Sequence, residues 1–153
     1  MAECCCSGSV DTAAAFACAA CRAKGLPVGE LTVKALLTEA ALQRFEPGEH
    51  RFCPDASCDV VYFDRADRTF TTGDLRVPVW QKEPPGRRMI CYCFGENEAD
   101  ISAEVEQTGR SNAVERVRVH IASGRCACDV RNPKGACCLG DVTQAVKRIT
   151  ANG

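Results

Sequence analysis

The amino-acid sequence predicts an α+β protein built from two small lobes. Strand-forming residues such as those at 60–63 lie before position 84, whereas short amphipathic helical patterns follow it. Between them, Pro84-Pro85-Gly86 is typical of a stiff linker or turn. We therefore expect a β lobe over residues 16–83 and a small helical lobe over residues 84–153. The first 15 residues have little to bury and are predicted to form a flexible, cysteine-rich tail.

In the first lobe, the elements are predicted from turn signals and strand propensity. Residues 31–37 are largely apolar but show no clean period, so no element is assigned there. Thr38 is a candidate cap for a short helix over residues 39–45, which Pro47-Gly48 would end. Residues 51–64 predict a strand, a cysteine-containing turn and a second strand. A further hairpin is expected through residues 68–71, Gly73 and residues 77–80.

The second lobe shows helical spacing in three places. Residues 98–107 and 112–122 predict two short helices, of which the second stops at Gly124. Residues 126–138 form a loop broken by Asn132-Pro133 and Gly135. A last helix over residues 142–149 would place its apolar side chains on one face.

Thirteen of the 153 residues are cysteines, and most of them occur in pairs. The start of the chain has neither a basic nor an apolar segment of a secretory signal, and no run reaches the roughly 20 apolar residues of a membrane span. A cytoplasmic location is therefore expected, where paired cysteines bind metals more often than they form disulfides. Thiolates favour zinc, Cu(I) and iron–sulfur clusters. The near-zero net charge gives no basic surplus for nucleic acid.

The first lobe carries two cysteine pairs, Cys18-x2-Cys21 and Cys53-x4-Cys58, each at a predicted turn. Two such pairs about 32 residues apart suit a tetrahedral four-cysteine zinc site of zinc-ribbon type. His50 is an alternative ligand, although a histidine at this place is more often an ordinary strand residue. A site filled by four protein ligands leaves no open position for substrate, so its expected role is structural.

The second lobe carries Cys91-x-Cys93, Cys126-x-Cys128 and the adjacent Cys137-Cys138. In an extended segment Cys91 and Cys93 would point the same way and could bind a single iron. Together with residues 52–63 and the Asn132-Pro133-x-Gly135 loop, these motifs resemble the amino-terminal region of the CopZ-type copper chaperones over residues 16–149. The second lobe alone resembles the bacterioferritin-associated ferredoxins.

The resemblance implies a zinc site in the first lobe and a [2Fe–2S] cluster in the second. Carried over position by position, it implies Cys91, Cys93, Cys128 and Cys138 as cluster ligands, with Cys126 or Cys137 as substitutes. CopZ chaperones of this type continue into a copper domain with a Met-x-Cys-x2-Cys loop. These 153 residues contain no such motif, so copper delivery is not directly implied. The Cys4-Cys5-Cys6 triplet is a candidate site for Cu(I) or another soft ion, or a thiol-rich end that binds nothing.

Three functions follow as hypotheses. The first is heavy-metal handling with one-electron redox chemistry, such as reduction of Cu(II) to Cu(I), helped by Arg87, Arg88 and Arg125 if they lie near the cluster. The second is a non-redox thiolate module that binds or delivers metal, and the third is a ferredoxin-like partner of an oxidoreductase. Partners would be metal ions and a copper chaperone, a metal pump or a redox protein. Enzymatic activity would be at most metal-ion reduction, because neither histidine lies in a nucleophile–base motif.

Overall fold

A computed structural model describes residues 16–152. The described chain divides into two compact units. The sheet unit contains residues 16–83 together with Asp129–Ala136, and the helical unit contains Pro84–Cys128 together with residues 137–152. Small antiparallel sheets and short helices make up both units, as expected for an α+β protein.

The sheet unit is organised around four antiparallel strands. These are β1 (Leu26–Val28), β2 (His50–Phe52), β3 (Val60–Asp64) and β4 (Thr69–Thr71), in that spatial order. The predicted strand–turn–strand over residues 51–64 is therefore confirmed. The predicted hairpin with residues 77–80 is wrong, because β4 pairs with β3 instead. Pro78 lacks the N–H that a ladder requires, and the chain continues into a single 3-10 turn, Trp80–Lys82.

Two short helices cover this sheet. Helix α1 (Glu30–Leu36) was not predicted; its buried residues Thr32, Val33 and Leu36 nevertheless follow helical spacing. Helix α2 (Glu39–Leu42) begins at the predicted cap, where Thr38 Oγ1 accepts a hydrogen bond from the Ala41 N–H at 3.2 Å. It ends earlier than expected.

The core of the sheet unit joins these helices to the inner face of the sheet. It is one continuous apolar cluster, in which aliphatic side chains of the helices meet aromatic side chains of the strands. Its members are Val28, Val33, Leu36, Leu37, Ala41, Phe52, Val61, Tyr62, Phe70, Leu75 and Val79. A unit of this size buries only a small hydrophobic core, so a bound metal ion would add substantially to its stability.

The helical unit begins with a small hairpin of β5 (Met89–Cys91) and β6 (Glu96–Asn97). Helices α3 (Glu98–Thr108) and α4 (Ala113–Ala122) confirm the two predicted helices. Asn97 caps α3 by accepting from the Asp100 N–H at 2.9 Å, and Gly109 ends it with φ of 81°.

Between the two parts of the helical unit runs the segment Asp129–Ala136, which the structure groups with the sheet unit. The sequence analysis had assigned it to the second lobe. It starts in a single-turn helix, α5 (Cys128–Arg131). The final helix, α6 (Leu139–Asn152), exceeds its predicted bounds at both ends and packs on α3, α4 and β5. No helix in the described part of the chain is long and apolar enough to cross a membrane.

Candidate metal centres

Four cysteine sulfurs converge in the sheet unit. The Sγ atoms of Cys18, Cys21, Cys53 and Cys58 all lie within 4.8 Å of one another, and Cys21 and Cys53 are 3.5 Å apart. A tetrahedral zinc ion with Zn–S bonds of about 2.3 Å needs sulfurs about 3.8 Å apart. The set therefore fits a single tetrahedral zinc ion. Across residues 16–152, no other group of three or more such side chains is gathered this closely.

The first pair lies on a tight turn before β1. The Cys18 N–H donates to Ala23 O and the Arg22 N–H donates to Cys18 O, both at 2.9 Å. Arg22 takes a left-handed φ of 66°, which lets the chain reverse after Cys21. A Cβ on Gly25, just beyond the turn, would lie 2.5 Å from side-chain carbons of Arg51 and Phe63. The turn can thus approach the sheet only because residue 25 is glycine.

The second pair lies on the turn between β2 and β3. The Cys53 N–H donates to Val61 O at 2.8 Å, which anchors the first sulfur to the sheet. Asp55 caps the turn, since its Oδ1 accepts from the Ser57 N–H at 2.8 Å and its carbonyl from the Cys58 N–H at 3.2 Å. Asp55 therefore has a structural role in this turn.

Lys82 is a part of this centre that sequence reasoning missed. Its Nζ donates to the carbonyls of Asp55 and Cys58 at 2.7 and 2.8 Å, spanning the second cysteine turn. Burial raises the pKa of Cys53 overall, and the positive charge of Lys82 acts against that rise. Lys82 follows Cys58 by 24 residues, so no local motif could have revealed it.

His50 is excluded as an alternative ligand by its position. Its side chain is 2% exposed, its ring stacks on Phe45 at 5.0 Å, and Nδ1 lies 2.9 Å from Gly48 O. It lies outside the four-sulfur group. The preferred interpretation, an ordinary strand residue, describes it correctly.

The protonation of the sheet-unit thiols is uneven in the absence of metal. Burial acts to raise the pKa of Cys18, but hydrogen bonds from the backbone N–H groups of Cys21 and Ala20 outweigh it and lower the pKa. Burial raises the pKa of Cys53 and of Cys58 above the usual thiol value. Zinc binding therefore has to displace protons, and its affinity falls with falling pH.

The cysteines of the helical unit are gathered less compactly, as a connected series in which Cys138 lies close to both Cys91 and Cys128, and Cys128 also lies close to Cys93. Cys138 Sγ lies 2.9 Å from Cys91 Sγ, and Cys93 Sγ lies 3.7 Å from Cys128 Sγ. The extended geometry expected for residues 91–93 is wrong, because β5 ends at Cys91 and the Gly95 N–H closes a turn onto Cys91 O at 2.9 Å. Cys91 and Cys93 consequently face different partners.

Hydrogen bonding among these sulfurs separates their pKa values. A hydrogen bond from the Cys138 thiol lowers the pKa of Cys91 despite burial. The pKa of Cys138 is raised, first by its bonds with Cys128 and Cys91 and then by burial. The pKa of Cys93 is raised by its hydrogen bond with Cys128 and by burial, although the Ala127 N–H donates to its sulfur at 3.2 Å.

The two cysteines considered as substitute ligands differ in burial. Cys126 is buried and Cys137 is half-buried. The Cys4-Cys5-Cys6 triplet lies outside the described residues.

Of the three arginines considered as cluster neighbours, two contact other side chains and one is exposed. Arg88 forms an ion pair with Glu98 at 2.6 Å, Arg87 is exposed, and Arg125 lies 3.1 Å from Nδ1 of His120. His120 itself stacks on Phe94 at 4.3 Å.

The fold and the four-sulfur centre define a zinc-binding protein of the thiolate class. Residues 15–76 match the CopZ-type family described as a zinc binding domain. The copper chaperone CopZ of Archaeoglobus fulgidus is 34% identical over 142 residues, which cover 86% of this chain and 67% of that protein. The X-ray structure of the Archaeoglobus fulgidus CopZ N-terminal domain superposes with a TM-score of 0.69 at 32% identity, covering 84% of this chain and 96% of that one. The chain belongs to the CopZ family.

Proposed function

We propose that this chain is a cytoplasmic protein that handles copper-type soft metal ions with a zinc centre in the sheet unit and a [2Fe–2S] cluster in the helical unit. Cys18, Cys21, Cys53 and Cys58 would hold the zinc. This centre is almost enclosed, since Cys18 and Cys53 are fully buried. Because all four ligand positions are filled by protein, its role is structural.

The observation that carries the second half of the proposal is that the fold brings together Cys91, Cys93, Cys128 and Cys138, with sulfur contacts of 2.9 Å for Cys91–Cys138 and 3.7 Å for Cys93–Cys128. A binuclear cluster needs four thiolates shared between two irons, two on each. These four thiols match that number of ligands, and they are spread more widely than the sheet-unit sulfurs that all lie within 4.8 Å of one another. A [2Fe–2S] cluster exchanges single electrons, and reduction of Cu(II) to Cu(I) consumes one.

The residues around the second set would hold and shield such a group. Cys91, Cys128 and Cys138 are buried, while Cys93 is half-buried and is the most exposed residue of the set. The Ala127 N–H bond to Cys93 stabilises the thiolate form there. The cluster would therefore exchange electrons with an external donor and an external acceptor on the side of Cys93. The expected partners are copper ions and a chaperone or metal pump that receives Cu(I).

The test is anaerobic oxidation of the reduced protein by Cu(II). The protein is purified and reduced without oxygen, excess reductant is removed, and Cu(II) is added with a colorimetric Cu(I) chelator. We expect the visible spectrum of the oxidised cluster to return as Cu(I) forms. Free thiols also reduce Cu(II), so Cys91→Ala, which keeps the tail thiols but disrupts the second set, measures that background.

Formation of Cu(I) without return of the oxidised cluster spectrum in the wild type would contradict the redox function and leave a thiolate metal-binding module. A second variant, in which Cys4, Cys5 and Cys6 are all alanine, tests metal capture by the tail. It is expected to lower the number of Cu(I) ions bound while the cluster spectrum stays the same.

A further inference from the structure

The segment Asp129–Ala136 has its own internal framework. Asn132 is fully buried, and its Nδ2 donates to Ala136 O at 2.8 Å. Its Oδ1 accepts from the Lys134 N–H at 3.2 Å, and its carbonyl accepts from the Gly135 N–H at 2.7 Å. The segment is therefore a defined turn with a buried polar centre.

Two hydroxyl groups of the sheet unit fasten this turn. Tyr62 Oη, on β3, donates to Pro133 O at 2.6 Å, and Thr32 Oγ1, on α1, donates to Asp129 O at 2.6 Å. Tyr62 is 0% exposed and Thr32 is 3% exposed. Removing either hydroxyl would leave its carbonyl without this partner, and the loss is most costly at the buried Pro133 carbonyl.

Gly135 of the turn also packs closely against Thr32. Gly135 has a φ of 70°, and a Cβ there would lie 2.9 Å from Thr32 Oγ1 and 3.3 Å from a methyl carbon of Val28. The turn can lie against α1 only with glycine at this position. Shape and hydrogen bonding thus hold the same segment at both of its ends.

We propose that Tyr62 and Thr32 are positioning residues for the cysteine ligands of the helical unit. Peptide bonds join Asp129 to Cys128 and Ala136 to Cys137, so a fixed course for the turn restricts the separation of Cys128 from Cys138. Restricting the ligands before metal binding lowers the entropy that the chain loses when a metal group is held. The inference rests on the proposed cluster.

The positioning role of Tyr62 depends on its hydroxyl group, and it can therefore be tested separately from the packing of its ring. Phenylalanine would fill the same space in the core of the sheet unit, so the Tyr62→Phe variant removes only the hydroxyl. Thr32→Val likewise keeps the branched shape of the side chain, whereas Thr32→Ser keeps the hydroxyl. Val79 lies in the same core at 1% exposure, and its side chain has no polar atom that could hydrogen-bond to the turn, so Val79→Ala serves as the control for lost stability.

The experiment measures iron release from full-length protein. Each variant is purified anaerobically, challenged with an excess of a colorimetric Fe(II) chelator after reduction, and followed by visible absorption. Each of the variants Tyr62→Phe and Thr32→Val loses one hydrogen bond to the turn. We therefore expect them to release iron about five- to tenfold faster than wild type. Thr32→Ser should stay near wild type. Zinc content should be unchanged in all of them.

Val79→Ala separates positioning from general destabilisation. It is expected to lower the unfolding midpoint at least as much as Tyr62→Phe while releasing iron at the wild-type rate. Wild-type release rates in Tyr62→Phe and Thr32→Val would overturn the inference, and so would acceleration by Val79→Ala in proportion to its lost stability. A wild type that contains no iron or sulfide would instead overturn the proposed cluster, and this inference with it.

Discussion

Replacing Lys82 with methionine is expected to weaken zinc binding although Lys82 is not a ligand. Methionine keeps most of the length and apolar surface of the side chain and removes the ammonium group. Two hydrogen bonds are lost with it, to the carbonyls of Asp55 and Cys58 on the turn that presents the second cysteine pair. The positive charge that acts to lower the pKa of Cys53 is lost as well.

The size of the effect follows from those contacts. Hydrogen bonds that involve a charged group contribute about 1.5–3 kcal/mol each, but water can replace part of this at a half-buried lysine. A net loss of about 2 kcal/mol corresponds to roughly 30-fold weaker zinc binding. Zinc bound by four thiolates leaves the centre with excess negative charge, so the effect should shrink as salt is raised.

Competition with a chromophoric zinc chelator at neutral pH measures this affinity directly. Lys34→Met is the matched control, because Lys34 is 48% exposed and pairs only loosely with Glu30 at 3.5 Å. The control should bind zinc as tightly as wild type. Wild-type affinity in Lys82→Met, or equal weakening in Lys34→Met, would refute the assigned role of Lys82.

Two further substitutions test the framework of each unit. Burial acts to raise the pKa of Glu98, but hydrogen bonds from Arg88 and from backbone N–H groups outweigh it and lower the pKa to about 2. The stability it contributes, about 3 kcal/mol, is present above its ordinary pKa near 4.5 and is lost as pH falls towards 2. Glu98→Gln should therefore destabilise the helical unit in urea at neutral pH and flatten its acid dependence, whereas exposed Glu106→Gln should do neither. Gly25→Ala places a Cβ 2.5 Å from two side-chain carbons and should lower the unfolding midpoint, with about 1–3 kcal/mol lost. Gly29→Ala has open space around its Cβ and should leave the midpoint unchanged.

The sequence predicted correctly those elements that depend on residues close together along the chain. The Thr38 cap, the strands on either side of Cys53 and Cys58, and the helices after Glu98 all depend on residues a few positions apart. Helix α1 escaped prediction because its seven residues are too few to show a clear helical period. The hairpin partner of β4 was misassigned because strand propensity does not specify which strands pair.

The candidate sites divide in the same way. Cysteine spacing identified the four residues that converge in the sheet unit, since each pair lies within one turn. The pairing of Cys91 with Cys138 and of Cys93 with Cys128 spans 47 and 35 residues, which spacing alone cannot resolve. Lys82 and Tyr62 reach their partners through the tertiary fold, at separations of 24 and 71 residues.

Metal and sulfide analysis of anaerobically purified protein tests the central claim most directly. The account predicts about one zinc, two irons and two sulfides per chain, with the visible spectrum of a [2Fe–2S] cluster. Cys91→Ser should lose iron and sulfide and keep zinc, whereas Cys53→Ser should lose zinc. Zinc without iron or sulfide in the wild type would contradict the proposed cluster and leave a thiolate zinc protein of the CopZ family.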